Sequence, residues 1–303
     1  MKRILDILRY YIKVRPACKK LYREISFNIL DSESTIAYII KNHCSVARFG
    51  DGELGIILSN TDIRFQKSDP ILKKELHDVL LSSHPKLLVC LPQFLSMEKV
   101  QSEISNKAKR FWDFWIFDYG KKLHNLLSQN NDLNQKKWGD ILISRPYMEW
   151  KHKKEHAEKI YSLLKKIWND RDILIIEGSL TRMGVGNDLF ANAKSIRRII
   201  APAINAFDKR SEIIQAVKKV YQGELILIAL GPTATVLASD FAKHNMQAID
   251  IGHVDIEYCW YLQKCKKKIP IKGKFVNECN SDSKNFLACT DKTYLSEIVV
   301  NIV

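Results

Sequence analysis

No apolar run in this chain approaches the length needed to cross a bilayer. Asp6 and Arg9 interrupt the apolar residues near the first methionine, so no signal-peptide core is expected there. Paired cysteines are also missing. Cys18, Cys44, Cys90, Cys259, Cys265, Cys279 and Cys289 form no CxxC or other zinc spacing. An odd number of scattered cysteines fits reduced thiols, which makes the cytoplasm the expected compartment. Internal repeats are absent, and no linker divides the chain convincingly.

What is present is a packed globular protein. Its 303 residues are 46% hydrophobic and 10% aromatic, enough for one large domain or two modest ones. The formal charge of +14 is concentrated in two places. Residues 1–23 hold eight Lys or Arg against Asp6, and residues 264–274 hold six Lys and no acid. With so little excess left elsewhere, a basic groove for nucleic acid is not expected. In the first patch Ile4, Leu5, Leu8, Tyr11 and Ile12 make an apolar stripe among Lys2, Arg3, Arg9 and Lys13. Such a helix can lie on an anionic membrane, or dock on its own domain with a solvated face. Residues 1–30 are therefore set apart as a basic amphipathic helix, and residues 31–303 are expected to form a single domain.

Apolar, β-branched runs recur at 45–49, 87–91, 141–144, 173–177, 196–201, 225–230 and 248–251. Helical patterns fall between them, around 32–42, 69–82, 96–128, 152–168, 207–221 and 233–244. This alternation predicts an α/β fold with a doubly wound, mostly parallel sheet whose strands are buried on both faces. Within 96–128, Phe111, Trp112, Trp115 and Tyr119 recur at helical spacing, which favours packing over a sugar-stacking or partner surface. The polar stretch 129–137 reads as a connecting loop.

Ligands of such sheets collect beyond the C-terminal strand ends, and four segments with polar chemistry stand there. The first is Arg48-Phe49-Gly50-Asp51-Gly52-Glu53. In an extended or turning backbone, Asp51 and Glu53 would face one hard cation, Mn²⁺ or Mg²⁺, bridging to a substrate phosphate. Gly50 and Gly52 permit unusual dihedrals and close approach of a ligand to the backbone. No dinucleotide fingerprint is expected after the first strand, which disfavours a nicotinamide-dependent enzyme. The second segment runs from Glu177 through Gly178, Arg182, Gly184 and Gly186 to Asn187 and Asp188. Its arginine can fork onto phosphate, and Asn187 and Asp188 could cap a short following helix. The third, Gly231-Pro232-Thr233-Ala234-Thr235, reads as a helix start whose N–H groups could hold a pyrophosphate. The fourth is Asp250-Ile-Gly-His253-Val-Asp255-Ile-Glu257. Its three ionisable side chains share a face if the stretch is extended and diverge if a helix begins there. Arg145, ending another apolar run, adds a cation for the same crevice.

Taken together, RFGDGE, EGSLTRMGVGNDLF, LGPTATVLASDFA and IDIGHVDIEY resemble, in that order, the GT-D type of bacterial glycosyltransferases. That family was first catalogued as a domain of unknown function and carries a DxE motif on a Rossmann-like fold. The resemblance covers residues 48–258 but says nothing specific about the N-terminal helix or residues 92–140. It implies transfer of a hexose, of glucose or galactose type, from a UDP-sugar to a glycan or lipid-linked glycan acceptor. It maps the DxE onto Asp51 and Glu53 as metal ligands. Its pocket motifs fall on Glu177, Arg182, Asn187 and Asp188, and on His253, Asp255 and Glu257. On this reading Arg48, Gly50, Arg182, Asn187, Asp188, Gly231, Thr233, Thr235 and His253 bind the donor. Asp255, Glu257 and Glu177 are the carboxylates considered for deprotonating the acceptor if configuration inverts; retention would need another arrangement. The expected location is cytoplasmic, with peripheral contact to the inner face of the cell membrane. The alternatives are another nucleotide-dependent Rossmann-like enzyme and a non-catalytic membrane-associated scaffold of polysaccharide assembly.

Overall fold

The apolar runs assemble into one eight-stranded sheet in the computed structural model. The structure describes residues 2–24, 27–95, 103–129, 133, 136–276, 278–279 and 288–303. The strands are β1 (Ser45–Arg48), β2 (Leu87–Leu91), β3 (Gly139–Asp140), β4 (Asp172–Gly178), β5 (Ser195–Ala201), β6 (Leu225–Ala229), β7 (Ala248–Asp250) and β8 (Ile298–Asn301). They lie in the order β3-β2-β1-β7-β6-β4-β5-β8, and neighbours run parallel. The expected α/β class is what is found. Both faces are covered: Ile173 and Ile175 of β4 enter one core, whereas Leu174 and Ile176 enter the other. That two-sided burial is why these strands read as unbroken apolar runs.

Two segments depart from expectation. Residues 141–144 form a 3₁₀ turn and not a strand. Asp140 caps it by accepting the Leu142 N–H at 2.9 Å, so the chain coils immediately after a two-residue strand. Asp140 also takes the Ser32 hydroxyl at 2.5 Å, and burial pushes its carboxyl up to about 7. At the other edge β8, built on Ile298-Val299-Val300, was not anticipated.

The helices are α1 (Lys2–Arg9), continued through a π turn at Tyr10–Val14 into α2 (Arg15–Glu24), then α3 (Ser32–Asn42), α4 (Asp51–Ser59), α5 (Pro70–Leu80) and α6 (Asn106–Ser128). There follow α7 (Lys153–Leu164), α8 (Arg210–Val220), α9 (Pro232–Lys243), α10 (Val254–Leu262) and α11 (Lys292–Glu297). Their starts obey local chemistry. Asp69 accepts the N–H groups of Ile71 and Leu72 ahead of Pro70, and Ser105 accepts that of Ala108. The helix expected from residue 96 begins at Asn106; residues 96–102 lie outside the described residues, as do 130–132, 134 and 135 of the expected loop. On α6 Trp112 and Trp115 are buried, as their spacing predicts, whereas Phe111 is exposed.

The N-terminal helical segment docks along α6 through Tyr10, Val14, Cys18 and Leu21. Buried Asp113 of α6 ties it down, accepting the hydroxyls of Tyr10 at 2.7 Å and Tyr22 at 2.8 Å.

Candidate functional site

From β1 the chain winds toward β2 and β3, and afterwards fills the opposite half of the sheet. The reversal falls between β1 and β7, where a doubly wound sheet opens a crevice beyond its strand ends. Gly50 to Glu53 leave β1 there, Gly252 and His253 leave β7, and Gly231 leaves the neighbouring β6.

Asp51 and Glu53 occupy the first turn of α4, so they do not alternate along an extended backbone as anticipated. Residues two apart on a helix point in different directions. Asp51 is exposed and makes no hydrogen bond to any described residue. Glu53 turns back, and its Oε2 accepts the Gly50 N–H at 2.9 Å. Burial, then the nearby Asp250 carboxylate, with a smaller push from Asp51, raises the Glu53 carboxyl to about 7. Among the described residues, no group of three His, Cys, Asp or Glu gathers into a self-sufficient metal cage. The donor set nonetheless fits a hard divalent ion: an open carboxylate and a second one crowded by negative charge would leave coordination positions for phosphate oxygens.

Gly50, Gly52 and Gly55 also have the GxGxxG spacing, and they stand between a strand and a helix. This corrects the expectation that no dinucleotide fingerprint follows the first strand. Its variable positions explain the difference in chemistry. A dinucleotide turn offers bare N–H groups to pyrophosphate, whereas here Glu53 already takes the cap N–H and Asp51 adds a second negative charge.

Arg48 is built into the wall of the crevice. Its Nε and Nη2 donate to the Asp250 carbonyl at 2.8 Å and carboxylate at 2.6 Å, and its Nη1 donates to Ser144 Oγ at 2.6 Å. Thr235 donates to the Arg48 carbonyl at 3.0 Å and also reaches Asp250. Gly252, with φ of +49°, lies flat on this guanidinium; a Cβ there would sit 2.0 Å from Nη2. The helix start at Gly231 differs from expectation too. Thr233 and Thr235 turn inward and are fully buried, and the Phe65 ring lies where a Gly231 Cβ would be, 2.1 Å away. The Thr235 hydroxyl therefore braces β1 and β7, and that of Thr233 points to Gln66, instead of facing a ligand.

His253 caps α10, so His253, Asp255 and Glu257 diverge. His253 Nδ1 lies 3.3 Å from Arg145 Nη2, and Arg145 Nη1 donates to Glu278 at 2.8 Å. Burial, then Arg145, lowers His253 to about 3, leaving the imidazole neutral. Burial opposes ionisation of Glu278, but Arg145, His253 and Lys268 outweigh it and hold the carboxyl below the usual range. Glu278 was missed because it lies outside every recognisable motif, in sequence far from Arg145. Glu257 is fully buried and accepts the N–H groups of Tyr147 at 3.1 Å and Met148 at 2.7 Å. Its Oε1 has no hydrogen-bond partner among the described residues and stands 4.0 Å from Arg145 Nη1. Glu257 thus fixes the turn that presents Arg145.

Burial raises the Glu257 carboxyl from 4.5 to about 7, against the opposing pull of Arg145. Between those values the folded protein holds a proton that the unfolded chain has lost, so this group's stabilising share falls as pH rises through about 7. Glu257→Gln should accordingly gain stability relative to wild type between pH 5 and pH 8, by about 2 kcal/mol. Urea titrations at the two pH values would check it; a constant difference would contradict the raised carboxyl.

The glycine-rich segment after β4 is held by buried acids. Glu177 accepts the Met183 N–H at 2.7 Å and pairs with Arg198 at 2.8 Å. Asp255 accepts the Gly184 N–H at 2.9 Å, Asn187 Nδ2 at 2.8 Å and Lys274 Nζ at 2.5 Å. Arg182 is buried with φ of +50° and donates to the Gly273 carbonyl at 2.9 Å. Asp188 is exposed, bonded to Lys165 and Tyr258. No helix follows Asn187 and Asp188; the chain makes turns up to β5. Two groups result. Arg48, Gly50, Asp51, Glu53, Thr235, His253 and Glu257 surround the β1–β7 crevice, whereas Glu177, Arg182, Asn187, Asp188 and Asp255 organise the adjoining loop.

This architecture matches known proteins. Residues 46–279 match the model of the glycosyltransferase GT-D fold. The chain is 36% identical over 282 residues to a probable glycosyl transferase Gly of Streptococcus gordonii, covering 92% of this chain and 39% of that protein. It is also 36% identical over 273 residues to the glycosyltransferase GlyD of Streptococcus pneumoniae serotype 4, covering 89% of this chain and 32% of that one. The chain thus spans less than two-fifths of the length of either of these curated relatives. A solved structure described as domain of unknown function 1792, with a distinct glycosyltransferase fold, superposes with a TM-score of 0.83 at 34% identity, over 93% of this chain and 98% of its own. Another, described as a new glycosyltransferase from Streptococcus sanguinis, gives 0.82 at 33% identity, over 92% of this chain and 100% of its own. With its sheet order, its acidic glycine turn and these matches, the chain belongs to the glycosyltransferase GT-D fold family.

Proposed function

We propose that this chain transfers a hexose, of glucose or galactose type, from a UDP-sugar to a glycan or lipid-linked glycan acceptor. The process served would be bacterial surface polysaccharide or glycoprotein biosynthesis, in the cytoplasm at the inner face of the cell membrane. The observation carrying this reading is the pair of carboxylates in the glycine turn at the β1–β7 reversal. A diphosphate approaching this turn unaided meets Asp51 and the committed Glu53, so the turn suits a phosphate ligand accompanied by a cation. The same repulsion disfavours a dinucleotide enzyme, whose pyrophosphate binds without one.

Asp51 and Glu53 would hold Mn²⁺ or Mg²⁺, which when bound would offset negative charge developing on the nucleoside diphosphate leaving group. Gly50 and Gly52 keep that approach free of side chains. Burial opposes the charge of Arg145, but Glu278, Glu257 and Glu149 outweigh it, so Arg145 supplies positive charge at the crevice. Neutral His253 can donate or accept a hydrogen bond there without adding charge. Arg48, Thr233, Thr235 and Gly231 act on the donor through the wall they build. Asp255, Glu257 and Glu177 would act in the same indirect manner, because their oxygens hold loop backbone and buried cations.

Incubation with a panel of nucleotide sugars, with Mn²⁺ or with chelator, tests the reading through slow release of free nucleotide. Turnover of a UDP-hexose only in the presence of the metal is expected. Equal release under chelation would remove the metal assignment, and no release from any donor would remove the transferase reading.

A further inference from the structure

The N-terminal helical segment carries two apolar faces, and the fold uses one. Tyr10, Val14, Cys18 and Leu21 are at most 6% exposed against α6. Leu5, Leu8, Tyr11 and Ile12 are 62%, 50%, 58% and 75% exposed, and their spacing of three and four gathers them on another side of the helix. Packing accounts for the first set; the second stays largely in solvent, with the Tyr10 ring edge-on to Tyr11 at 5.0 Å. Large apolar side chains lined up in solvent mark a contact surface.

The charge around this stripe is predominantly positive. Arg9, Lys13, Lys19 and Lys20 are exposed. Arg9 lies over the Phe114 ring at 5.5 Å and Lys13 over Phe117 at 5.8 Å, while Arg15 lies over Tyr11 itself at 5.8 Å. Asp6 is the sole acid in residues 1–23, against eight Lys or Arg. No described helix is long and apolar enough to cross a membrane.

We propose that this face seats the protein on an anionic lipid surface, with Leu5, Leu8, Tyr11 and Ile12 in the acyl boundary and the surrounding cations among the headgroups. A bilayer answers both features at once. A second copy would bring two strongly basic helices together, and a nucleic acid would have no use for the apolar stripe. The helix lies flat, because its other face is pinned through Tyr10 and Tyr22 to Asp113. Attachment depends on the inner-membrane location proposed above, but not on the sugar or the metal.

Flotation of the full chain with phosphatidylcholine vesicles, with and without phosphatidylglycerol, is the test. Binding only to the anionic vesicles is expected, weakened by added salt. Leu8→Glu combined with Ile12→Glu should lower the bound fraction about tenfold or more. Both side chains are exposed, so the melting temperature and the solution turnover of nucleotide sugar should not change. Failure of the wild type to float, or equal flotation of the double variant, overturns the proposal. So does light scattering that shows a dimer abolished by the double variant, or retention of RNA without retention of vesicles. Flotation without any nucleotide-sugar turnover would sink the transferase reading and sustain this one, so the two fail separately.

Discussion

Asp51→Ala should reduce metal-dependent turnover of the sugar nucleotide by about a hundredfold to a thousandfold, the usual loss when a preorganised charge partner of the leaving group is removed. Its melting temperature should not move, because Asp51 is exposed and bonds to no described side chain or backbone group. Glu53 needs a different substitution. Its carboxylate also holds the Gly50 N–H, so alanine would disturb the helix start as well as the charge. Glu53→Gln keeps that acceptor and removes the charge, and should match the Asp51→Ala loss. Turnover measured across a Mn²⁺ titration would check both. Full activity in the two variants would detach the glycine turn from the chemistry.

Lys274→Met should destabilise the protein by about 3–5 kcal/mol, the cost of leaving its buried partner uncompensated. Lys274 and Asp255 are 3% and 2% exposed at their side chains, with 2.5 Å between nitrogen and oxygen. Asp255 would keep the Gly184 N–H and Asn187, but would lose its counter-charge in a site closed to water. Adding Asp255→Asn to Lys274→Met should recover most of the loss, since the amide oxygen still accepts from Gly184 and carries no charge. Urea unfolding of wild type, single and double variants would decide. A single variant as stable as wild type would mean the pair is solvated and the 182–188 segment is held by other contacts.

The sheet was legible because its strands are buried on both faces. Ile173 to Ile176 and Leu225 to Ile228 carry no polar residue that could confuse their reading. The same rule misread residues 141–144, where composition is strand-like but a preceding side chain, Asp140, coils the backbone. The segments that line the crevice were also legible, since each follows an apolar run. The directions of their side chains were not. Alternation along Asp51 and Glu53, or along His253, Asp255 and Glu257, predicts a shared face only for extended chain, and each set instead opens a helix. Lys274 stands at the end of a run of lysines, and only its burial beside Asp255 of α10 sets it apart. Sequence spacing carries no information about such pairings.

The junction of β1 with β7 also governs when the crevice can exist. Val46 pairs with Ile249, and the Arg48–Asp250 contact joins residues 202 apart in the chain. Loop closure of that span must precede any reward from the contact, so strand pairing here is expected late in folding. A nascent chain emerging from the ribosome can form the β1–β2 unit early, yet the crevice must await the arrival of β7. Until then the edge of β1 stands open, and chaperone engagement should concentrate on nascent chains that have passed β2 but not yet reached β7.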